Sequence, residues 1–204
     1  MLFSIVDVCV AYAREKAHNR VMPLLDFWFD FASTYSYPAA MPFLLGPLFK
    51  GHGWPTSPFN LYPSKGHYMW RDLERICFDL DLPFRRPQPF PQNSLLAARV
   101  ALIGLSASWG EEFCRGVFRA EFGECRQIDD PTVIADVLSE LHIESAPVLE
   151  AARTETNKAA LRMQTGEAEQ LGIFGAPSFT TADGELFWGN DRLEGAIAWA
   201  KKGR

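Results

Sequence analysis

Apolar and polar positions divide the chain into three textures. The first is the short run Leu24–Phe31 (LLDFWFDF), apolar and aromatic apart from Asp26 and Asp30. Its length and aromatic content predict a mostly buried strand rather than a helix. Small and hydroxylic residues follow, Ala32 to Ser36, and then Pro38, which suits the first turn of a helix. The stretch from Met41 to Lys65 carries Pro42, Pro47, Pro55, Pro58 and Pro63. It predicts a short helix over Tyr37–Lys50, broken at its prolines, and an irregular loop to Lys65.

The second texture begins at Gly66. Tyr68, Trp70, Leu73, Ile76, Cys77 and Leu80 recur at helical spacing with charges between them, which predicts a helix over His67–Leu80. Pro83–Pro91 (PFRRPQPFP) is a stiff extended connection. Further helices are predicted over Ser94–Ala107 with Ser94 as N-cap, over Glu111–Phe122 and over Pro131–His142. Pro147–Leu171 reads as one long helix or two, ended by Gly172. Residues 66–171 therefore form an all-helical block without repeats. The third texture is a hairpin: strands Pro177–Thr181 and Glu185–Trp188 around Ala182-Asp183-Gly184. A final helix runs to Lys201, capped by Asn190 or Asp191.

The order strand, helix, helical block, hairpin, helix is that of a thioredoxin-like α/β fold with an all-helical insertion. Residues 23–65 and 172–204 make the core, 66–171 the insertion, and 1–22 an N-terminal extension. A strand–helix–strand unit takes roughly 30 residues or more. Here only Tyr35–Met41 separate the first turn from PFLLGPLFK. The first helix and second strand are thus expected to be shortened or missing. Loss of that strand would leave a three-stranded core, its open edge covered by the apolar Leu2–Val10. The first 21 residues lack the basic start and cleavage site of a signal peptide, and Met22 is an alternative start.

Composition narrows the function classes. The chain has 204 residues, 48% hydrophobic and 22% charged, enough for a good core. A net charge of −5 lacks the basic surplus of a nucleic-acid binder. No apolar run approaches the ~20 residues that span a bilayer. Cys9, Cys77, Cys114 and Cys125 form no Cys-x-x-Cys pair, so they read as buried apolar filler in a reducing cytoplasm. His18, His52, His67 and His142 are dispersed, and no metal site is expected.

Two positions invite chemistry. Ser33 follows the first strand, where the N–H groups of a helix start favour an anion. From the residues alone it reads first as a capping hydroxyl. Ala176-Pro177 opens a strand after a long helix, as an ordinary strand-start proline or as a cis one.

The segments FDFASTYSY, YPSKGHYMWRDLER and GIFGAPSF…LFWGNDRLE, in that order, resemble the 2-hydroxychromene-2-carboxylate isomerase family. That family neighbours the kappa-class glutathione transferases within the wider DsbA-like group. The resemblance spans Leu24–Trp199. It implies that glutathione is bound and its thiolate used. Ser33 then stands where the oxidoreductases carry their nucleophilic cysteine, and its hydroxyl donates to the glutathione sulfur; Thr34 replaces a proline found in many relatives. Ala176 pairs its backbone with the cysteinyl part. Trp188, Gly189, Asn190 and Asp191 hold the γ-glutamyl end, Lys65 meets the glycyl carboxylate, and Asn60 adds a polar contact. Taken singly, Lys65 and Asp191 read as a solvated charge and a helix cap.

The implied activity is isomerisation of an aromatic ene-pyruvate, by reversible addition of the thiolate to a conjugated double bond. A kappa-like glutathione transferase and an inactive remnant of the family are the alternatives. The implied partners are glutathione, a small aromatic substrate and a second copy in a homodimer. Arg85 and Arg86 are candidates for a substrate carboxylate. A disulfide oxidoreductase is disfavoured, because the hydroxyls of Ser33 and Ser36 cannot exchange with a disulfide.

Overall fold

The computed structural model describes residues 25–36 and 41–202. The N-terminal extension, Leu2–Val10 as an edge cover, Met22 as a start and Tyr37 as a helix start lie outside the described residues. Four strands are present: β1 (Leu25–Phe29), β2 (Met41–Pro42), β3 (Ser178–Thr181) and β4 (Leu186–Trp188). They form one sheet in the order β2-β1-β3-β4. β1 and β2 are parallel, and the other pairs are antiparallel. Between β2 and β3 lie α1 (Leu45–Gly51), α2 (Pro58–Leu61), α3 (Pro63–Asp79), α4 (Leu95–Ser106) and α5 (Gly110–Phe118). A π-helical turn (Arg119–Gly123) extends α5, and α6 (Pro131–Glu140), α7 (Ser145–Ala152) and α8 (Glu155–Gln170) complete the block. A 3-10 turn (Asn190–Arg192) and α9 (Leu193–Lys201) close the chain.

Strand alternation decides the layers. Trp28 points to one face of β1 and Phe27 and Phe29 to the other. Trp28 packs with Phe43, Leu45, Leu48, Ala168 and Ile173, so α1 and α8 cover that face. On the opposite face Phe27 stacks on Phe179, 4.7 Å between centroids, under Leu193 and Ala196 of α9. Phe29 and Phe31 enter the main core, against Phe113, Phe118 and the small residues of α4. Trp28 donates its indole N–H to Thr180 Oγ1 (3.0 Å), tying β1 to β3.

The second strand is shortened, not lost, and the sheet has four strands rather than three. β2 pairs Met41 with Trp28 and Pro42 with Phe29. At a sheet edge Pro42 gives up no ladder hydrogen bond. Helix α8 holds this short strand: Gln164 Nε2 donates to the Pro42 carbonyl (2.7 Å), and Leu44 N donates to Thr165 Oγ1 (3.3 Å). Among the described residues, the helix expected from Tyr37 is confined to α1.

Other expectations also need correction. The loop expected up to Lys65 contains α2 and the start of α3, because Pro58 and Pro63 sit in first helical turns rather than breaking helices. Ser94 stands at the N-cap position of α4 as expected, but its side chain makes no cap hydrogen bond; the hydroxyl is drawn to Asp30 instead. Neither Asn190 nor Asp191 caps α9, which starts after the 3-10 turn with no side-chain cap. Cys114 is buried, but Cys125 is exposed, with Sγ against the Arg86 carbonyl (3.4 Å). Among the described residues no helix is long and apolar enough to cross a membrane.

Candidate functional site

Asp30 follows β1 and builds the turn that carries Ser33. Ser33 N donates to the Asp30 carbonyl (2.9 Å), and Ser36 N to the Ser33 carbonyl (3.1 Å). The buried Asp30 carboxylate gathers three donors from three places. Ala32 N reaches Oδ1 at 3.0 Å, Leu45 N reaches Oδ2 at 2.7 Å, and Ser94 Oγ reaches Oδ1 at 2.5 Å. The turn is therefore fastened to the starts of α1 and α4. Among the described residues, Thr34–Ser36 form turns rather than the helix start expected to face an anion.

Ser33 and Ala176 meet across 143 positions of the chain: Ser33 Oγ donates to the Ala176 carbonyl at 2.8 Å. Both residues are 8% exposed. The Ala176–Pro177 bond is cis. Gly189 N donates to the Pro177 carbonyl (3.0 Å), which brings the end of β4 to the same peptide. The Trp188 indole lies over Gly175, where an added Cβ would stand 2.5 Å from Nε1. Gly189 has φ +115, and a Cβ there would meet Asp191 Oδ1 at 2.8 Å. Ser33, Ala176, Trp188 and Gly189 thus belong to one neighbourhood.

The outer residues are held more loosely. Asp191 is exposed and pairs with its neighbour Arg192 (3.3 Å). Asn190 lies in the 3-10 turn. Lys65, exposed near the start of α3, holds Nζ 5.7 Å from the Phe59 ring centroid. Phe59 lies 6.4 Å from the ring of Tyr35, two residues after Ser33. Asn60 is engaged elsewhere, donating to Thr56 Oγ1 and the Phe90 carbonyl (both 3.2 Å). Arg86 stacks over Trp70, 4.6 Å from its centroid.

A family profile, the DSBA-like thioredoxin domain, matches residues 24–196. The chain belongs to that family. It is 26% identical over 188 residues to a 2-hydroxychromene-2-carboxylate isomerase of Sphingobium xenophagum, covering 83% of this chain and 94% of the relative. It is 27% identical over 203 residues to glutathione S-transferase kappa 2 of Caenorhabditis elegans, covering 83% and 88%. A solved 2-hydroxychromene-2-carboxylate isomerase superposes with TM-score 0.77 at 22% identity, over 87% of this chain and 94% of that one. The thioredoxin-like α/β fold with a helical insertion is therefore the fold of this DSBA-like domain.

The residues that sequence reasoning missed lie beneath the site. Asp30 was visible only as an acid interrupting an apolar run. Burial pushes its carboxyl up, and hydrogen bonds from Ser94, Leu45 and Ala32 pull it back. Glu121 is fully buried on the π-helical turn, and burial first, then the Asp30 charge, push its carboxyl well up. Thr34 Oγ1 donates to Met69 Sδ (3.3 Å). Tyr35 donates to Asp72 (3.2 Å), and burial, then the Asp72 charge, raise the phenol well above its ordinary value. Among the described residues, no three His, Cys, Asp or Glu side chains gather as a metal site.

Proposed function

We propose that the protein binds glutathione beside Ser33 and Ala176 and isomerises an aromatic ene-pyruvate of the 2-hydroxychromene-2-carboxylate type. The observation that carries this reading is the 2.8 Å hydrogen bond between Ser33 Oγ and the Ala176 carbonyl, in a chain similar to a curated isomerase of that name. A donor and a peptide carbonyl side by side suit a thiol-bearing peptide. The Ser33 hydroxyl can swing from the carbonyl to a sulfur, and the freed carbonyl can accept a peptide N–H. When bound, glutathione supplies a thiolate for reversible addition to a conjugated double bond, which permits rotation about it.

The protein's own part is positioning and charge. Ser33 donates to the sulfur, lowering its proton affinity. Ala176 fixes the cysteinyl backbone. Trp188 and Gly189 wall the γ-glutamyl end, Asp191 attracts its ammonium, and Asn190 offers it a polar contact. Lys65 attracts the glycyl carboxylate from the far side. Asn60, already bonded to Thr56 and Phe90, shapes the loop near Lys65. The aromatic side chains of Tyr35, Phe59 and Trp70 pack in one cluster that suits an aromatic substrate. The reaction is placed in the cytoplasm, and the working unit is read as a homodimer.

A kappa-like glutathione transferase is the second reading, favoured by the 27% identity to the nematode kappa protein. Calorimetric titration with glutathione, combined with an absorbance assay on 2-hydroxychromene-2-carboxylate and on an electrophilic aromatic halide, tests both. Heat of binding with conversion of the chromene supports the isomerase. Conjugation of the halide alone supports the transferase. Absence of binding heat overturns both and leaves an inactive member of the family, for which the short connection between β1 and β2 gives a physical reason.

A further inference from the structure

The carbonyls of Gly175, Ala176 and Pro177 are each claimed by a different donor. Ser178 Oγ donates to the first (2.8 Å), Ser33 Oγ to the second (2.8 Å) and Gly189 N to the third (3.0 Å). Just upstream, Ile173 N donates to the Ala168 carbonyl (3.0 Å), which ties the chain to the end of α8. The backbone on both sides of Phe174 is thus pinned. Its neighbours Ile173 and Ala176 are buried, whereas Phe174 itself is 45% exposed.

Phe174 meets a second exposed ring. Its centroid lies 5.0 Å from that of Trp188, with 58° between the planes. Trp188 is 48% exposed and closes β4 opposite Ser178. Gly175 bounds the indole elsewhere: an added Cβ would stand 2.5 Å from Nε1, 3.1 Å from Cε2 and 3.2 Å from Cδ1. Gly175 has no positive φ, so the close approach of the indole is what requires glycine there. Rings left half in water recover only part of the burial that draws aromatic residues into a core. Held against each other within two residues of Ala176, Phe174 and Trp188 make a firm edge to the site.

We propose that Phe174 and Gly175 are positioning residues for Trp188, clamping its indole so that the fixed ring walls the γ-glutamyl end of glutathione. The wall rests on the glutathione reading above; the clamp does not. Gly175 sets how closely the ring approaches the peptide that Ser33 meets, and Phe174 keeps the ring from turning outward. A loose indole would have to surrender its rotamer freedom when a ligand arrives, whereas a clamped one has surrendered it on folding. Losing the clamp therefore weakens binding. It spares turnover, because Ser33 is held by Ala176 and not by Trp188.

The test joins nitrogen relaxation of the Trp188 indole N–H by NMR, calorimetry with glutathione and steady-state assay on 2-hydroxychromene-2-carboxylate. It uses the full chain as wild type, F174A, F174L, F174Y and G175A, with W188F assigning the Trp188 resonance by its loss. The indole N–H is expected to lose order in F174A without any ligand present and to regain it in F174Y. Glutathione affinity is expected to fall about two- to tenfold in F174A, the worth of an aromatic pair, and to recover in F174Y. In G175A the Trp188 resonance is expected to move and affinity to fall at least as far. The loss is expected in KM for glutathione, with kcat at saturating glutathione held within about twofold. F174L decides the matter if F174A does not fold.

An indole as ordered in F174A and F174L as in wild type overturns the clamp. A loosened indole with unchanged glutathione affinity overturns its part in binding. A fall of kcat at saturation as large as the fall in affinity overturns the positioning role. Absence of binding heat in wild type, with the indole loosened in F174A and restored in F174Y, defeats the glutathione reading and leaves the clamp standing.

Discussion

The Ser33–Ala176 contact and the Lys65 and Asp191 side chains belong to one proposed site but are held in opposite ways. Ser33 and Ala176 are each 8% exposed, and the Ser33 turn is fastened by the three hydrogen bonds to Asp30. Asp191 and Lys65 are exposed, and their recorded contacts are one adjacent arginine and one phenylalanine ring. Buried hydrogen bonds cost dearly when one partner is removed, because the other is left without water. Exposed charges are screened and weak singly. The inner half of the site is therefore fixed by the fold, and the outer half is free to vary.

The largest effect should come from breaking the inner half at its root. Asp30→Ala leaves three donors without an acceptor, and urea unfolding should show a loss on the order of 3 to 5 kcal/mol. Asp30→Asn, which keeps an acceptor oxygen, should lose clearly less. Next is Ser33→Ala, which should cost only about 1 kcal/mol of stability. Its turnover of 2-hydroxychromene-2-carboxylate should fall by roughly 10- to 100-fold, the worth of a hydrogen bond to a charged sulfur. Smaller again are Lys65→Ala and Asp191→Ala. Each should weaken glutathione binding by less than about tenfold in calorimetry, and high salt should shrink the loss, which it should not do for Ser33→Ala.

The smallest change sharpens the contrast from outside the site. Asp130 caps α6 by accepting from Thr132 N (2.8 Å), and this bond holds its carboxyl below the usual range. Asp130→Ala should lower the thermal unfolding midpoint slightly and leave glutathione binding unchanged.

The elements that carry the site were legible where periodicity was strong. The aromatic run of β1, the hairpin of β3 and β4 and the helices from α3 to α8 follow from spacing and turn chemistry alone. Two residues of β2 give no period to read, so its presence depends on Gln164 and Thr165, far along the chain. Pro58 and Pro63 were misread because proline both breaks helices and starts them. Ser94 was placed correctly at the start of α4, but the role of its hydroxyl was not, because the acceptor that claims it lies 64 positions away. Glu121 was invisible for a related reason. At helical spacing it passes for a surface acid, and only the π-helical turn presents a buried one. Ser33 was proposed through likeness to a family, whereas Asp30, whose carboxylate fastens its turn, was not singled out.

The register of β1 against β3, with Leu25 opposite Thr181, bears on how the chain is made. The ribosome releases the first strand long before the partner that completes its pairing. At usual elongation rates the gap is on the order of 10 seconds. Throughout it the helical block can fold from local contacts while Phe27 and Phe29 wait for Phe179. The Ser33–Ala176 contact is thus among the last parts of the molecule to form, and a nascent chain released before β3 has helices but not that contact.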